Sequence, residues 1–369
     1  MRNPLNSSAP GTLRRHLTVL AALVAAMLAT LAPGTTAQAQ TATMRAASGN
    51  PLAAGPWGLD NHDKIYRWYQ DSTGTKKLML AKMALRPRMF WFTDIAEDRL
   101  VEGKIRDYIT KSQAGNPNAL VQLSVFRLWP RGEGAKHVPL TLAEQASYRR
   151  WVDNAARGIG NARVAMVLEP DLAVALQGWR PSVRLRLASY AARVFSALPR
   201  TTIYLDASDS DWLSPSEAAH MLRAAGIRYA RGFSLGATHY TGTAAEIAYG
   251  TKVVAELAKL RLPNRHFVID TSDNARPFTY RQYYAKHPSG WFDVAETCRT
   301  RLERRCVALG IPPTTDVASL RWGLSATQRA QARAHVDAYL WYSRPWLVYS
   351  APAYFDLRRA LTAARTSPY

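Results

Sequence analysis

Short apolar runs alternate with helical patterns along most of this chain. Seven runs rich in β-branched and aromatic residues predict buried strands, at 89–92, 120–126, 163–168, 202–206, 229–235, 266–270 and 338–342. Between these runs the apolar residues recur at helical spacing, and after Pro181 they fall at positions 187, 190, 191, 194, 195 and 198. Strands that alternate with helices in this way predict βαβ units and a parallel sheet.

Four predicted helix starts carry a capping box, in which a Ser or Thr and a Glu or Gln three residues later satisfy each other's free amides. The pairs are Thr141 and Glu144, Ser214 and Glu217, Thr243 and Glu246, and Ser325 and Gln328. About seven repeats in one chain predict an α/β fold in which about seven parallel strands close into a (β/α) barrel as a single domain. An open doubly wound sheet is the alternative, although no Gly-rich phosphate loop follows any predicted strand.

The first residues have the composition of a targeting segment. Arg14 and Arg15 precede an apolar stretch at 17–31, and an A-x-A cleavage site ends at Ala39. We therefore predict three segments: a signal peptide at 1–39, a flexible lead-in at 40–55 and a barrel domain at 56–369. The apolar stretch is short for a membrane span and no later run is long enough, so we expect a secreted or periplasmic protein without a transmembrane segment. The paired arginines fit the twin-arginine pattern weakly, so general secretion is favoured.

The mature chain would be strongly basic. Without residues 1–39, Lys and Arg fall from 48 to 45 against 27 acids, which leaves a formal charge of +18. A solvated basic surface is the first interpretation, and binding to an anionic polymer or lipid surface is the second. We expect no nucleic-acid partner, because the arginines are scattered rather than clustered with aromatic residues.

Cys298 and Cys306 are the two cysteines of the chain. In an oxidising compartment two close cysteines predict one local disulfide, which would pin a surface excursion. No histidine lies between them, and His266 and His287 precede them without ligand spacing, so we predict neither a metal site nor a cofactor.

Acidic residues recur at the ends of the predicted strands. Glu169 and Asp171 follow the third strand, Asp206, Asp209 and Asp211 the fourth, and Asp270 and Asp273 the sixth. The carboxyl ends of parallel strands meet on one face of a barrel, so these carboxylates should converge. Convergent carboxylates raise one another's pKa, which lets one of them stay protonated as a general acid. For Glu169 and Asp171 alone, a solvated strand end is an equally good interpretation.

Aromatic residues accompany these acids. Trp91 ends the first predicted strand, Trp129 follows the second, Trp212 follows Asp206, and Tyr240 follows the fifth strand. Carboxylates beside exposed aromatic faces are typical of sugar-binding clefts, because sugar rings stack on indole while acids act on the glycosidic oxygen. Most of these aromatic residues are expected in the core, with Trp91 and Trp212 as the exceptions.

A family resemblance runs through the same stretches. Leu168-Glu169-Pro170-Asp171 resembles the Glu-Pro-Asp motif of glycoside hydrolase family 6, the inverting β-1,4-glucanases. Five further segments are similar to the family's landmarks and appear in its order: Tyr204-Leu205-Asp206-Ala207 with Trp212-Leu213, Arg231-Gly232-Phe233-Ser234, Phe267 to Ser272, Gly310 to Thr314, and Asp337 to Trp341. The resemblance implies a distorted barrel with fewer than eight strands.

The resemblance also implies roles for individual residues. Asp171 would be the general acid, and Asp206 would be the carboxylate that shapes the subsite where the sugar ring is distorted. Substrate-binding residues would be Trp91, Trp212, His239, Asp270 and Asn274. The partner would be a β-glucan polysaccharide or oligosaccharide, hydrolysed with inversion by a secreted, monomeric endoglucanase-like enzyme.

Several positions depart from the family pattern. Leu128 stands where the family has an aspartate that supports the acid, Asp209 stands where it has a histidine, and Asp273 and Ala275 change its Ser-Arg-Asn-Gly stretch. The stretch Ser343-Arg344-Pro345-Trp346 lacks the family's lysine and its candidate base aspartate. Asp209, Asp273 or Glu133 could supply part of the missing carboxylate network. A catalytically impaired carbohydrate-binding protein on the same fold is the alternative function.

Overall fold

The computed structural model describes residues 49–93, 97–348 and 354–369. The predicted signal peptide lies outside the described residues, as does most of the predicted lead-in. The compact unit of the described residues includes Leu52, which is fully buried and whose carbonyl accepts a hydrogen bond from Trp57 Nε1 at 2.9 Å. The predicted boundary at 56 stays a prediction.

Seven parallel strands form one sheet in the order in which they occur along the chain. They are β1 (Phe90–Thr93), β2 (Val121–Phe126), β3 (Val164–Leu168), β4 (Thr201–Asp206), β5 (Gly232–Leu235), β6 (His266–Asp270) and β7 (Val336–Leu340). A small antiparallel pair, β8 (Leu347–Val348) and β9 (Tyr354–Phe355), follows. The predicted distorted barrel with about seven parallel strands is confirmed.

Ten α-helices lie in the described residues and surround the sheet. They are α1 (Lys64–Gln70), α2 (Gly74–Ala84), α3 (Val101–Gln113), α4 (Leu142–Ile159), α5 (Pro181–Ser196), α6 (Pro215–Ala224), α7 (Thr243–Lys259), α8 (Tyr280–Lys286), α9 (Ala326–His335) and α10 (Leu357–Thr366). The capping boxes at α4, α6 and α9 form as predicted. The box predicted at Thr243 is wrong: Gly242 caps α7 instead, and the Glu246 carboxylate turns inward to accept a hydrogen bond from Ser210 N.

The side chains of each strand alternate between two apolar cores. Along β3, Val164, Met166 and Leu168 pack outward against the helices, whereas Ala165 and Val167 point into the ring. This alternation is the period of two that a strand imposes, and both faces are apolar because both are covered. β3, β4 and β6 therefore carry acids to the carboxyl end of a covered sheet.

The fifth strand is shorter than predicted. Ile227–Tyr229 form a 3-10 turn, and β5 begins at Gly232. A Cβ at Gly232 would lie 1.6 Å from the His266 carbonyl oxygen, so the close approach of β5 to β6 requires glycine there. Apolar content alone did not distinguish the turn from the strand.

An ion pair inside the ring joins β7 to the start of β5. Arg231 donates to both carboxylate oxygens of Asp337 at 3.0 and 3.1 Å, and Tyr204 OH donates to Asp337 at 2.7 Å. Burial would raise the pKa of Asp337, but its hydrogen bonds from His266 and Arg231 lower it below its ordinary value. The carboxylate is therefore ionised and paired within the barrel.

The sheet does not close between β7 and β1. Thr314 forms an antiparallel bridge to Tyr339 on β7, with backbone hydrogen bonds of 3.0 and 2.9 Å. Across the seam, Met89 N donates to Trp341 O at 2.9 Å, and Trp91 Nε1 donates to Tyr342 O at 2.6 Å. The barrel is thus an open ring whose two ends meet through single contacts.

Candidate active site

The turn after β3 sends its two carboxylates to different places. Glu169 and Asp171 both have positive φ, at 55° and 60°, on either side of Pro170. Glu169 is fully buried and accepts hydrogen bonds from Arg127 N at 2.9 Å and Leu128 N at 3.1 Å. It also accepts from the Tyr148 hydroxyl at 2.8 Å. Glu169 therefore holds the β2 and β3 loops together and is not free for chemistry.

Asp171 is the carboxylate of this turn that faces the mouth of the barrel. Its side chain is partly exposed, and its Oδ1 accepts a hydrogen bond from Thr238 Oγ1 at 2.8 Å. Desolvation by the surrounding protein raises its pKa to about 6, although the Thr238 bond and the charge of His239 act in the opposite direction. Asp171 can therefore hold a proton in mildly acidic solution and still reach a ligand.

Asp206 and Asp209 lie beside Asp171 and are almost wholly buried. Asp206 accepts from Ser208 N at 3.1 Å and Ser234 Oγ at 3.4 Å. Burial, together with the charges of Asp209 and Asp171, raises the pKa of Asp206 well above its usual range. Burial also raises the pKa of Asp209, against the charge of His239, and Asp209 Oδ1 has no hydrogen-bond partner among the described residues. The predicted convergence of acids at this face is present.

His239 occupies an aromatic cage at the same face. Its ring stacks on Trp212, with centroids 5.3 Å apart and planes at 9°, and on Tyr280 at 5.8 Å and 18°. The edge of Phe292 packs against it at 5.0 Å. Its Nδ1 lies 2.6 Å from Asp211 Oδ1, and Asp211 Oδ2 accepts from Tyr280 N at 2.6 Å.

The charges around His239 favour its protonated form. Burial alone would lower the pKa of His239, but the carboxylates of Asp209 and Asp211 raise it to about 9. Trp212, partly exposed above the imidazole, also lines an open groove of about 910 Å³ between α6, α7 and α8. The site therefore contains an imidazolium beside its carboxylates and an indole face that a ligand can reach.

The acids after β6 are tied into the fold. Asp270 accepts from Ser272 N at 2.8 Å and Ser343 N at 2.5 Å, and burial raises its pKa to about 6. The Asn274 amide donates to Thr241 O at 3.0 Å and to Asp270 O at 3.2 Å. Both side chains brace the floor of the site, and their contact with substrate stays a prediction.

Trp91 lies on the other side of the mouth, within β1. Its indole is partly exposed, with Phe126 at 5.6 Å and the guanidinium of Arg344 at 5.5 Å from the ring centroid. Arg344 therefore supplies a cation in the stretch where the family pattern has a lysine. Leu128, at the position of the supporting aspartate, is fully buried in the outer apolar core and brings no polar group to the cleft.

Two further carboxyl groups reach the cleft from loops. Burial and the charges of Asp171 and Asp293 raise the pKa of Glu133 to about 9, and Glu133 Oε1 is buried without a hydrogen-bond partner. Asp293 is exposed and accepts from Trp291 Nε1 at 3.1 Å. The sequence indicated Glu133 as a possible substitute carboxylate, but it gave no sign of Asp293, because that residue lies in a loop without a recognisable motif.

Cys298 and Cys306 form the predicted disulfide, across a separation of eight residues. Among the described residues no three histidine, cysteine or acidic side chains are arranged to hold a metal ion. No helix in the described part of the chain has the length and hydropathy that crossing a bilayer requires.

The sequence of this chain is similar to that of known proteins. The model of the glycosyl hydrolases family 6 matches residues 48–345. Endoglucanase A of Cellulomonas fimi is 33% identical over 218 residues, which cover 58% of this chain and 46% of that protein. Endoglucanase 1 of Streptomyces halstedii is 31% identical over 159 residues, 41% of this chain and 49% of that protein. The chain thus spans about half the length of these relatives.

A solved structure covers more of the chain. The endoglucanase Cel6 of Mycobacterium tuberculosis, in complex with methyl-cellobiosyl-4-deoxy-4-thio-β-D-cellobioside, superposes with a TM-score of 0.69 at 26% identity. The match covers 86% of this chain and 99% of that one. With a family model that spans most of the packed domain and a barrel of the same architecture, the chain belongs to glycosyl hydrolase family 6.

Proposed function

We propose that this protein is a secreted, monomeric endoglucanase-like enzyme that hydrolyses β-1,4-glucosidic bonds with inversion, and that Asp171 is its general acid. The observation that carries the proposal is the environment of Asp171: a partly exposed carboxyl at the mouth of the barrel, with a pKa of about 6. The two sequence relatives are endoglucanases, and a solved endoglucanase of the same fold holds a thio-linked cello-oligosaccharide.

Asp171 would protonate the leaving group of the reaction. Its carboxyl proton passes to the glycosidic oxygen while the bond between that oxygen and C1 breaks, which leaves Asp171 as a carboxylate. A water molecule attacks C1 from the opposite face of the ring and loses its proton to a carboxylate, so the anomeric configuration inverts. Asp206, whose pKa is raised beside Asp171, would shape the subsite of the distorted ring.

The base side of the reaction differs from the family pattern. Asp206 and Asp293 are carboxyl groups whose charges act on Asp171 or Glu133 in this cleft. Asp293 is the exposed member of this set and lies on a different loop from the acid. A base must contact bulk water and face the acid across the ring, and Asp293 meets the first requirement.

The aromatic groups would hold the sugar rings. Trp91 and Trp212 present partly exposed indoles on the two sides of Asp171, from β1 and from the loop after β4. A sugar ring can stack its apolar face on each of them. Substrate would therefore lie across the acid between two platforms.

Reducing-sugar release from a soluble β-glucan tests the function. We expect wild type to be active and Asp171→Asn to lose about 10²- to 10⁴-fold in kcat/KM, the usual contribution of a general acid. Asp107→Asn, an exposed carboxylate on α3 that pairs with Lys111, is the matched control and should retain activity. Equal absence of hydrolysis in wild type and Asp171→Asn, with retained glucan binding, would instead support the impaired binding protein.

Two further readouts test the role and the stereochemistry. A dinitrophenyl cellobioside has a leaving group that needs little protonation, so Asp171→Asn should recover most of its rate on that substrate. Proton NMR of freshly formed products should show the α-anomer first. Retention of the β-configuration would contradict the inverting mechanism, and no recovery on the activated substrate would contradict the acid role.

A further inference from the structure

His239 has more defined contacts than any predicted binding residue of this cleft except the acids. Its ring is enclosed by Trp212, Tyr280 and Phe292, which come from three separate segments of the chain. The relative exposure of His239 is 7%, so the ring is largely inaccessible to a ligand. A residue so enclosed acts through the groups that it holds rather than by direct contact with sugar.

The cage connects the sugar platform to the acid. The indole of Trp212 rests flat on the imidazole, at 5.3 Å and 9°. The neighbouring residue, Thr238, donates a hydrogen bond to Asp171 at 2.8 Å. A movement of the backbone at 238–239 would therefore displace both the platform and the acid.

The imidazole of His239 lies close to the position at which this chain lacks the family's histidine. Asp209 occupies the position of the family's histidine, and the charge of Asp209 acts on His239. The imidazole missing from the loop after β4 is thus supplied to the same neighbourhood by the loop after β5.

We propose that His239 is a positioning residue of this site: Asp211 and the aromatic cage hold it as an imidazolium that fixes the indole of Trp212 and places a positive charge beside Asp209 and Asp171. The inference rests on the proposed glucanase function for its catalytic meaning, although the stack itself does not depend on hydrolysis. Aromatic contacts of this geometry are favourable with or without charge, whereas the field on the acids requires the proton.

The charged and titratable groups around His239 fix the expected direction of its titration. The loop after β4 contributes Asp209 and Asp211, the turn after β3 contributes Asp171, and α8 contributes Tyr280. Asp293, next to Phe292, acts on Asp171 and Tyr280. The first three carboxylates stabilise the imidazolium, so it should lose its proton in the alkaline range, near pH 9.

Tryptophan fluorescence tests the stack without any substrate. A protonated imidazole in contact with an indole quenches its emission, so raising the pH from 5 to 10 should produce a rise in emission with a midpoint near 9. The step should disappear in Trp212→Phe and in His239→Phe, and persist in His220→Gln, a change at an exposed histidine on α6. A step that persists in His239→Phe, an absent step, or a midpoint near the ordinary value of about 6.5 would overturn the proposal.

Oligosaccharide binding distinguishes the contribution of the His239–Trp212 stack from that of the His239 charge. In an Asp171→Asn background, His239→Ala should weaken cellotetraose binding about 2- to 12-fold, the equivalent of one lost aromatic contact. His239→Phe keeps a ring under Trp212 and should stay within about twofold of the parent. Unchanged affinity in His239→Ala would refute the positioning role. If the fluorescence step stands while wild type hydrolyses no glucan, the proposed function fails and the assignment of the stack survives.

Discussion

Replacing Thr238 by valine should make Asp171 a weaker acid. Thr238 Oγ1 donates to Asp171 Oδ1 at 2.8 Å, and this bond favours the ionised form of the carboxyl. A hydrogen bond to a charged acceptor is worth about 1.5–3 kcal/mol, against about 0.5–1.5 kcal/mol for a neutral one. The difference of about 1–1.5 kcal/mol corresponds to about one pH unit.

The loss of the Thr238 hydroxyl should shift the pH dependence of activity in one direction only. The general acid must carry a proton, so activity is lost as pH rises through the pKa of Asp171, about 6 in wild type. Thr238→Val should move this alkaline limb of kcat/KM to higher pH, by about one unit, and widen the active range. Thr238→Ser keeps the hydroxyl and should keep the wild-type limb. A limb that stays in place or moves to lower pH in Thr238→Val would refute either the hydrogen bond or the role of Asp171.

Three further predictions concern the barrel, its disulfide and the loop carboxyl. Asp337→Asn leaves Arg231 without its buried partner and should lower the free energy of unfolding by about 3–5 kcal/mol, measured by urea denaturation at pH 7; a change below about 1 kcal/mol would contradict it. Replacing Cys298 and Cys306 together by alanine opens a loop of eight residues and should cost about 2.5 kcal/mol, with activity at 25 °C retained. Because the pKa of Glu133 is about 9, Glu133→Gln mimics its neutral form, and kcat/KM from pH 5 to 8 should change by less than about twofold. A loss of more than about tenfold would identify Glu133 as an ionised base.

The sequence contains enough information for the strands and for the acids at their ends. Six of the predicted strands lie within two residues of those observed, because alternating apolar runs and capping residues are local signals. The fifth was overextended, since Tyr229 belongs to a 3-10 turn with the same apolar content as a strand. The capping box predicted at Thr243 does not form, because the Glu246 carboxylate accepts a hydrogen bond from a neighbouring loop instead.

The arrangement within the site was less accessible to such reasoning. Glu169 and Asp171 are two residues apart and look equivalent in the sequence. Both residues have positive φ, yet the Glu169 side chain is directed into the protein and the Asp171 side chain toward the mouth of the barrel. The His239–Asp211 pair joins residues 28 positions apart in two loops. The approach of Glu133 and Asp293 to Asp171 likewise depends on how long loops fold over the barrel, which no local pattern encodes.

The bridge from Thr314 to Tyr339 has a consequence for solubility. An open parallel sheet offers unpaired amides along its outer strands, and such an edge can recruit a strand from another molecule. At Tyr339 both the donor and the acceptor of β7 are already used, by two hydrogen bonds from the same chain. The segment around Thr314 therefore covers part of the β7 edge and discourages edge-to-edge association, so that the ring can stay open without promoting aggregation.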